Sequence, residues 1–247
     1  MDMYINRIAL KEDAKVKIAT ASPPTFGPTI AYLAIIFVVT AIQSRLDERF
    51  TAFVQGVMKF ILGLGPWPIF NYSPVMLLSA LFLILLKIVL SVLETGYRWY
   101  SLRLSLSLRA SFSDIMAPTN HLLKVVGLYI VISILTFLWS LLFVIPGIIA
   151  LYSYRQAYYI LHDHPEYGIM KCIRESVRLS RGYRVDLFVL DLSFLGWYIL
   201  CSLSFGILLI WKLPYFEVTY ANFYNALKFN KGFDQNPGYG GNPWDNM

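Results

Sequence analysis

Between Val125 and Ile145 the chain carries no charged residue, and a second apolar stretch begins immediately after Pro146-Gly147. A helix rising ~1.5 Å per residue crosses a ~30 Å hydrocarbon core over a run of this length. A Pro-Gly step predicts the end of that helix and reversal of the chain. The expected unit is a transmembrane hairpin, because lipid offers no partner for backbone N–H and C=O groups and a helix satisfies its own. The composition fits: 57% hydrophobic and 15% charged residues leave little polar surface with which to cover a water-soluble core.

The same reasoning along the chain predicts an all-α membrane protein, a polytopic bundle of about six transmembrane helices with a cytoplasmic amphipathic interfacial helix. The spans are expected at Gly27 to Ile42, Pro74 to Leu93, Val125 to Ile145 and Gly147 to Leu161. Val185 to Leu227 is too long for one helix and is expected to divide near Gly206 into two more. Residues 1–26 are polar and read as a cytoplasmic N-terminal segment without the order of a secretory signal. Residues 27–227 read as a single transmembrane domain, and 228–247, rich in Gly, Asn and Pro, as a disordered cytoplasmic tail. The stretch 44–73, with Gly63, Gly65, Pro66 and Pro68, reads as a connection, partly helical at the membrane surface.

Basic residues orient the bundle. With the N-terminus inside, fifteen Lys and Arg fall on the cytoplasmic side, Arg98 and Arg103 among them, and only Arg45, Arg49 and Lys59 fall outside. Trp139, Trp197 and Trp211 then lie toward the outer leaflet, where aromatic belts form. On a helical wheel, Ile169 to Arg181 gathers Met170, Cys172, Ile173, Ser176, Val177, Leu179 and Ser180 on one half. Lys171, Arg174, Arg178 and Arg181 gather with Glu175 on the other. Such a segment is expected to lie flat on the membrane with its apolar side toward lipid or the bundle. Each nearby cation then attracts anionic inner-leaflet lipid by about 1 kcal/mol; a connecting helix whose charges face water is the alternative.

Charges within the spans are the second feature. Lys87 precedes Glu94 by two helical turns, Arg155 lies about seven residues inside the cytoplasmic end of its span, and Asp191 about six. By helical rise these sit at a similar depth, on the order of 10 Å below the inner boundary, and Glu217 sits nearer the midplane. An Arg155–Asp191 pair is expected. The cluster Lys87, Glu94, Arg155, Asp191 and Glu217 is either a polar cavity for an ion, a proton or a lipid headgroup, or a set of paired and snorkelling charges that fixes helix packing.

Other chemistry is poorly supported. His162-Asp163-His164-Pro165-Glu166 resembles a metal-ligand run, but His162 and His164 share a metal only from an extended chain, and a polar loop is the simpler reading. No metal or cofactor is expected. Cys172 and Cys201 imply no disulfide framework. Metalloprotease, phosphate-loop and nucleophile-elbow motifs are missing, so the chain does not read as an enzyme. Its net charge of +6 is explained by topology rather than by nucleic acid, which is not an expected partner.

Leu138-Trp139-Ser140-Leu141-Leu142, Ile145-Pro146-Gly147-Ile148-Ile149, Tyr152-Ser153-Tyr154, Tyr159-Ile160-Leu161 and Asp163 with Pro165 form a connected set. Glu175-Ser176, Gly182, Leu190-Asp191-Leu192-Ser193-Phe194, Gly196-Trp197, Pro214-Tyr215 and Asn222-Phe223-Tyr224 extend it, with Glu94-Thr95-Gly96-Tyr97 upstream. The set resembles the bacterial membrane family catalogued as domain of unknown function 975. That resemblance implies a multi-pass protein of the bacterial cytoplasmic membrane and supplies no established activity. The expected function is therefore a non-catalytic membrane protein associated with lipid, including anionic lipid, with envelope components or with a partner complex. The alternative is a small-solute or ion transporter or channel that uses the intramembrane charges.

Overall fold

A computed structural model describes residues 5–66 and 74–233. Pro68 and the greater part of the expected tail lie outside the described residues. The described chain is helical and contains no strand. It comprises α1 (Arg7–Ala19), α2 (Phe26–Ile61), α3 (Pro74–Ser105), α4 (Phe112–Met116), a 3-10 turn (Ala117–His121), α5 (Leu122–Leu142), α6 (Val144–Tyr154), α7 (Ala157–Asp163), α8 (Ile169–Ser180), α9 (Arg184–Leu192), α10 (Leu195–Leu203) and α11 (Leu209–Asn230). Three stretches are long and apolar enough to cross a bilayer: Phe26–Ser44, Phe112–Leu142 and Arg184–Leu203. The expected span Gly147 to Leu161 falls on two short helices, α6 and α7, and the last falls on α11, which carries Lys212 and Glu217.

The chain forms two compact units, one of Met1–Ile30 with Val92–Met247 and one of Ala31–Ser91. The smaller unit holds most of α2 and the first half of α3. α2 continues to Ile61, so the stretch after residue 44 is helical well beyond the expected span, and it ends in a turn with Gly63 at φ 68°.

In the larger unit, the hairpin between α5 and α6 differs from the expectation in detail. α5 ends at Leu142 and the chain reverses at Phe143, whose backbone is extended (φ −160°, ψ 151°). Pro146 sits inside the first turn of α6, where a helix has no intrahelical acceptor for an N–H and so loses nothing by lacking one. Gly147 serves close approach rather than reversal, since a Cβ there would collide with Ser140 of α5. The second expected break is realised at Gly206, which adopts φ 84° between α10 and α11.

The core of this unit is aromatic. Tyr159 stacks on Tyr224 with ring centroids 5.1 Å apart, and Phe194 lies against Phe216 at 4.8 Å. α1 is part of it. Asn6 caps α1 by accepting from the Ile8 and Ala9 amides, and Ile5, Leu10 and Ala14 are buried where α1 runs along α11. Buried Asn222 of α11 donates to the Leu10 carbonyl at 3.1 Å and to Asp13 at 3.0 Å, and Lys17 completes the group by pairing with Asp13. These groups satisfy one another, which removes the cost of burying each alone.

Candidate functional site

Arg155 and Asp191 meet. Arg155 Nη1 donates to both carboxylate oxygens of Asp191 at 3.1 and 2.9 Å, and the Tyr152 hydroxyl donates to Asp191 Oδ2 at 2.9 Å. The guanidinium lies over the Tyr220 ring at 3.9 Å, and Tyr220 approaches the Tyr198 hydroxyl at 3.3 Å. One cation thus faces a carboxylate on one side and an aromatic face on the other, an arrangement that compensates desolvation by charge-assisted hydrogen bonds and ring quadrupole together. Both charged side chains are 27% exposed.

The remaining members of the expected cluster divide. Glu217 of α11 is half-buried and within electrostatic reach of Arg155, Asp191, Glu94 and Arg98. Glu94 is exposed on α3. Lys87 is exposed and belongs to the smaller unit. The structure adds Arg98, counted above among the cytoplasmic cations, which lies half-buried with its guanidinium over the Tyr158 ring at 4.7 Å. The Glu94-x-x-x-Arg98 spacing was the available signal, because residues four apart share a helix face.

Two helical interruptions flank the pair. Between α6 and α7 the hydrogen-bonding lapses at Arg155-Gln156, and between α9 and α10 at Ser193-Phe194. No Pro or Gly marks either break in the sequence. Both turns keep helical backbone dihedrals, with Gln156 at φ −77°, ψ −12° and Ser193 at φ −70°, ψ −14°. These are kinks, not unwound segments. Gln156 is buried and its Oε1 accepts no hydrogen bond among the described residues. Ser193 is reached by Lys11 of α1, whose ammonium donates to Ser193 Oγ at 2.6 Å.

α8 is a helix of the expected amphipathic kind, and most of its apolar side faces the protein, while Met170 of that expected half is exposed. Cys172, Ile173, Ser176, Leu179 and Ser180 are buried, with α5, α6, α7 and α11 as neighbours, and Ser176 donates to the Ser153 carbonyl at 2.7 Å. Lys171, Arg174, Arg178 and Arg181 are all exposed. Arg178 donates to Glu175 at 2.6 Å and Lys171 lies over the Tyr167 ring at 3.4 Å, while Arg174 and Arg181 make no ion pair among the described residues. Burial pushes the Cys172 thiol above its ordinary value, and both cysteines are free.

In the histidine run, each imidazole engages its own carboxylate: His162 Nδ1 lies 3.0 Å from Asp163 and His164 Nδ1 3.0 Å from Glu166. Among the described residues no three His, Cys, Asp or Glu side chains form a metal-holding group. Asp163 is the anchor of the run, accepting from Tyr224 at 2.8 Å and from Lys228. Burial would raise its carboxyl, but His162, Lys228 and Tyr224 together hold it below the usual carboxylate range. Lys228 lies beyond the expected domain end, on α11, which continues to Asn230.

The sequence model of a family described as "Protein of unknown function (DUF975)" matches residues 26–231. No curated protein and no solved structure matches the chain.

Proposed function

The chain belongs to this family, DUF975, and from that premise we propose that it is a six-span, non-catalytic protein of the bacterial cytoplasmic membrane that holds anionic lipid or an acidic partner at the inner face. The reading is carried by one observation: α8 spends its apolar side on the bundle and leaves Lys171, Arg174, Arg178 and Arg181 exposed together. In this reading both termini are cytoplasmic and α8 lies parallel to the bilayer at headgroup level. Each exposed cation contributes about 1 kcal/mol of attraction to an anionic leaflet. The Arg155–Asp191 pair is then a structural clasp, since its hydrogen bonds and ring contact leave neither charge uncompensated.

The test is lipid retention. Protein reconstituted in nanodiscs of mixed phosphatidylglycerol and phosphatidylcholine is expected to enrich the anionic lipid around it. The triple change Arg174→Ser, Arg178→Ser and Arg181→Ser is expected to reduce that enrichment severalfold without loss of folded protein. Equal enrichment in the variant would reject the lipid half of the proposal.

A second reading, transport of a small solute or ion, draws support from the two interrupted helices beside Arg155 and Asp191, because transporter sites form where spans break. It ranks second because both breaks retain helical dihedrals. A solute flux in proteoliposomes abolished by Asp191→Asn at unchanged yield would reverse the order.

A further inference from the structure

Between Asp191 and Glu217 the sequence holds a single charged residue, Lys212. It stands in the first turn of α11, and its ammonium lies over the Trp197 ring of α10 at 3.7 Å, with the Tyr215 ring at 5.9 Å. The exposed residues that precede it on α10, in the turn and on α11 are apolar: Ile199, Leu200, Leu203, Ile207 and Trp211. Arg155 supplies the comparison. Each cation covers an aromatic ring, at 3.9 Å for Arg155 and 3.7 Å for Lys212. Arg155 also holds Asp191, whereas Lys212 makes no ion pair and no side-chain hydrogen bond among the described residues. Its titratable neighbours do not fill the gap. The Cys201 thiol and the Tyr215 hydroxyl are uncharged at neutral pH, and Glu12, within electrostatic reach of Tyr215, is paired with Lys15 at 2.7 Å.

The unspent groups are donors with no acceptor capacity. An ammonium carries three hydrogens and no lone pair, and the Trp197 indole N–H, which has no acceptor among the described residues, can only donate. The ring quadrupole attracts the cation but supplies no oxygen to its hydrogens. On a surface of exposed aliphatic and indole side chains, such a charge is relieved by an anion or by reaching the headgroups. A phospholipid brings both at once, because its phosphate diester is an anion joined to acyl chains that suit the exposed leucines and isoleucines. A free phosphate would have to leave water to reach the same place.

We propose that Lys212 and Trp197 form a binding site for the phosphate of one phospholipid molecule, whose acyl chains run along the exposed apolar side of α10 and the α10–α11 turn. The phosphate stands to Lys212 as Asp191 stands to Arg155. The site is separate from the cations of α8. Asn230, at the other end of α11, donates to Tyr183 just beyond α8, and the helical rise from Lys212 to Asn230 is about 27 Å. The inference takes from the proposed function only that this hairpin lies in the membrane, and it is independent of the role given to α8.

Purified full-length protein in a neutral detergent is titrated with phosphatidylglycerol and, separately, with diacylglycerol of the same chains, and retained lipid is counted by native mass spectrometry. Saturable retention of phosphatidylglycerol is expected, with diacylglycerol held about tenfold or more weakly and inorganic phosphate unable to displace the lipid. Lys212→Gln is expected to weaken retention about tenfold or more while leaving folded yield unchanged, since a ring contact is all the lipid-free protein loses. If that variant gives no folded protein, Trp197→Leu decides in its place, because it removes the ring and the indole donor and keeps the lysine. Equal retention of diacylglycerol, displacement by inorganic phosphate, or undiminished retention in the folded variant overturns the proposal. The same loss is expected when Lys212→Gln is added to the α8 triple variant, so failure here and failure of the α8 reading are separate results.

Discussion

Arg155 illustrates how an expensive residue is retained in an apolar setting. Its cost is met by Asp191 through two hydrogen bonds and by the Tyr220 ring, and Tyr152 donates a further hydrogen bond to Asp191 Oδ2. Truncating one partner strands the other, so Arg155→Ala and Asp191→Ala are each expected to cost about 2 kcal/mol. The double change should cost less than the sum, read as a coupling energy from unfolding of the purified variants. Asp163 supplies a pH dependence. Its folded-state carboxyl titrates below the unfolded value of ~4, so its stabilisation is complete above that pH and is lost as pH falls through the lower folded value. Asp163→Asn is expected to lower stability by about 1–3 kcal/mol at neutral pH. It should also flatten the stability profile below about pH 4, measured by thermal unfolding across a pH series.

At the scale of elements, close approach and facing decide more than propensity does. Gly96 of α3 lies so near α4 that a Cβ would overlap the Ile115 carbonyl. Gly→Ala in an open helix gains up to about 1 kcal/mol. Here the obstacle is backbone, so Gly96→Ala is expected to destabilise by about 1–3 kcal/mol, visible as a lower melting temperature. α8 shows the complementary asymmetry between its two sides. Ile173 is 5% exposed, so Ile173→Lys buries an unpaired ammonium and is expected to abolish folded protein, measured by monodisperse yield. Arg174→Ser on the exposed side is expected to leave that yield unchanged.

For the whole molecule, the arrangement proposed above makes a sharp demand on topology. In a background without Cys172 and Cys201, a cysteine at position 174 is expected to react with an impermeant maleimide only after cells are opened. One at position 144, where Val144 is 72% exposed at the tip between α5 and α6, is expected to react in intact cells. External labelling at 174 would invert or dismantle the six-span arrangement. The docking of α1 on α11 adds a constraint, because Lys11 reaches Ser193 while Asp13 and Lys17 reach Asn222 of α11, which ties the N-terminal helix to that end of α11.

What was legible in the sequence is what local spacing and solvent preference dictate. Apolar runs without charge become helices, the periodicity of residues 169–181 sorts a buried side from an exposed one, and the similar positions of Arg155 and Asp191 within their expected spans anticipate their pairing. The sequence pattern also identifies the family. The tertiary structure alone decided where side chains distant in the chain meet. It set Tyr152 and Tyr220 around the Arg155–Asp191 pair, drew Arg98 into the same surroundings, and docked α1 through Asn222. It also shifted the hairpin reversal from Pro146-Gly147 to Phe143 and interrupted two helices where no Pro or Gly stands. The physical reason is that helix formation responds to neighbours a few residues away. The rotation of one helix against another, which aims each polar group, is set by packing over separations that no local pattern encodes.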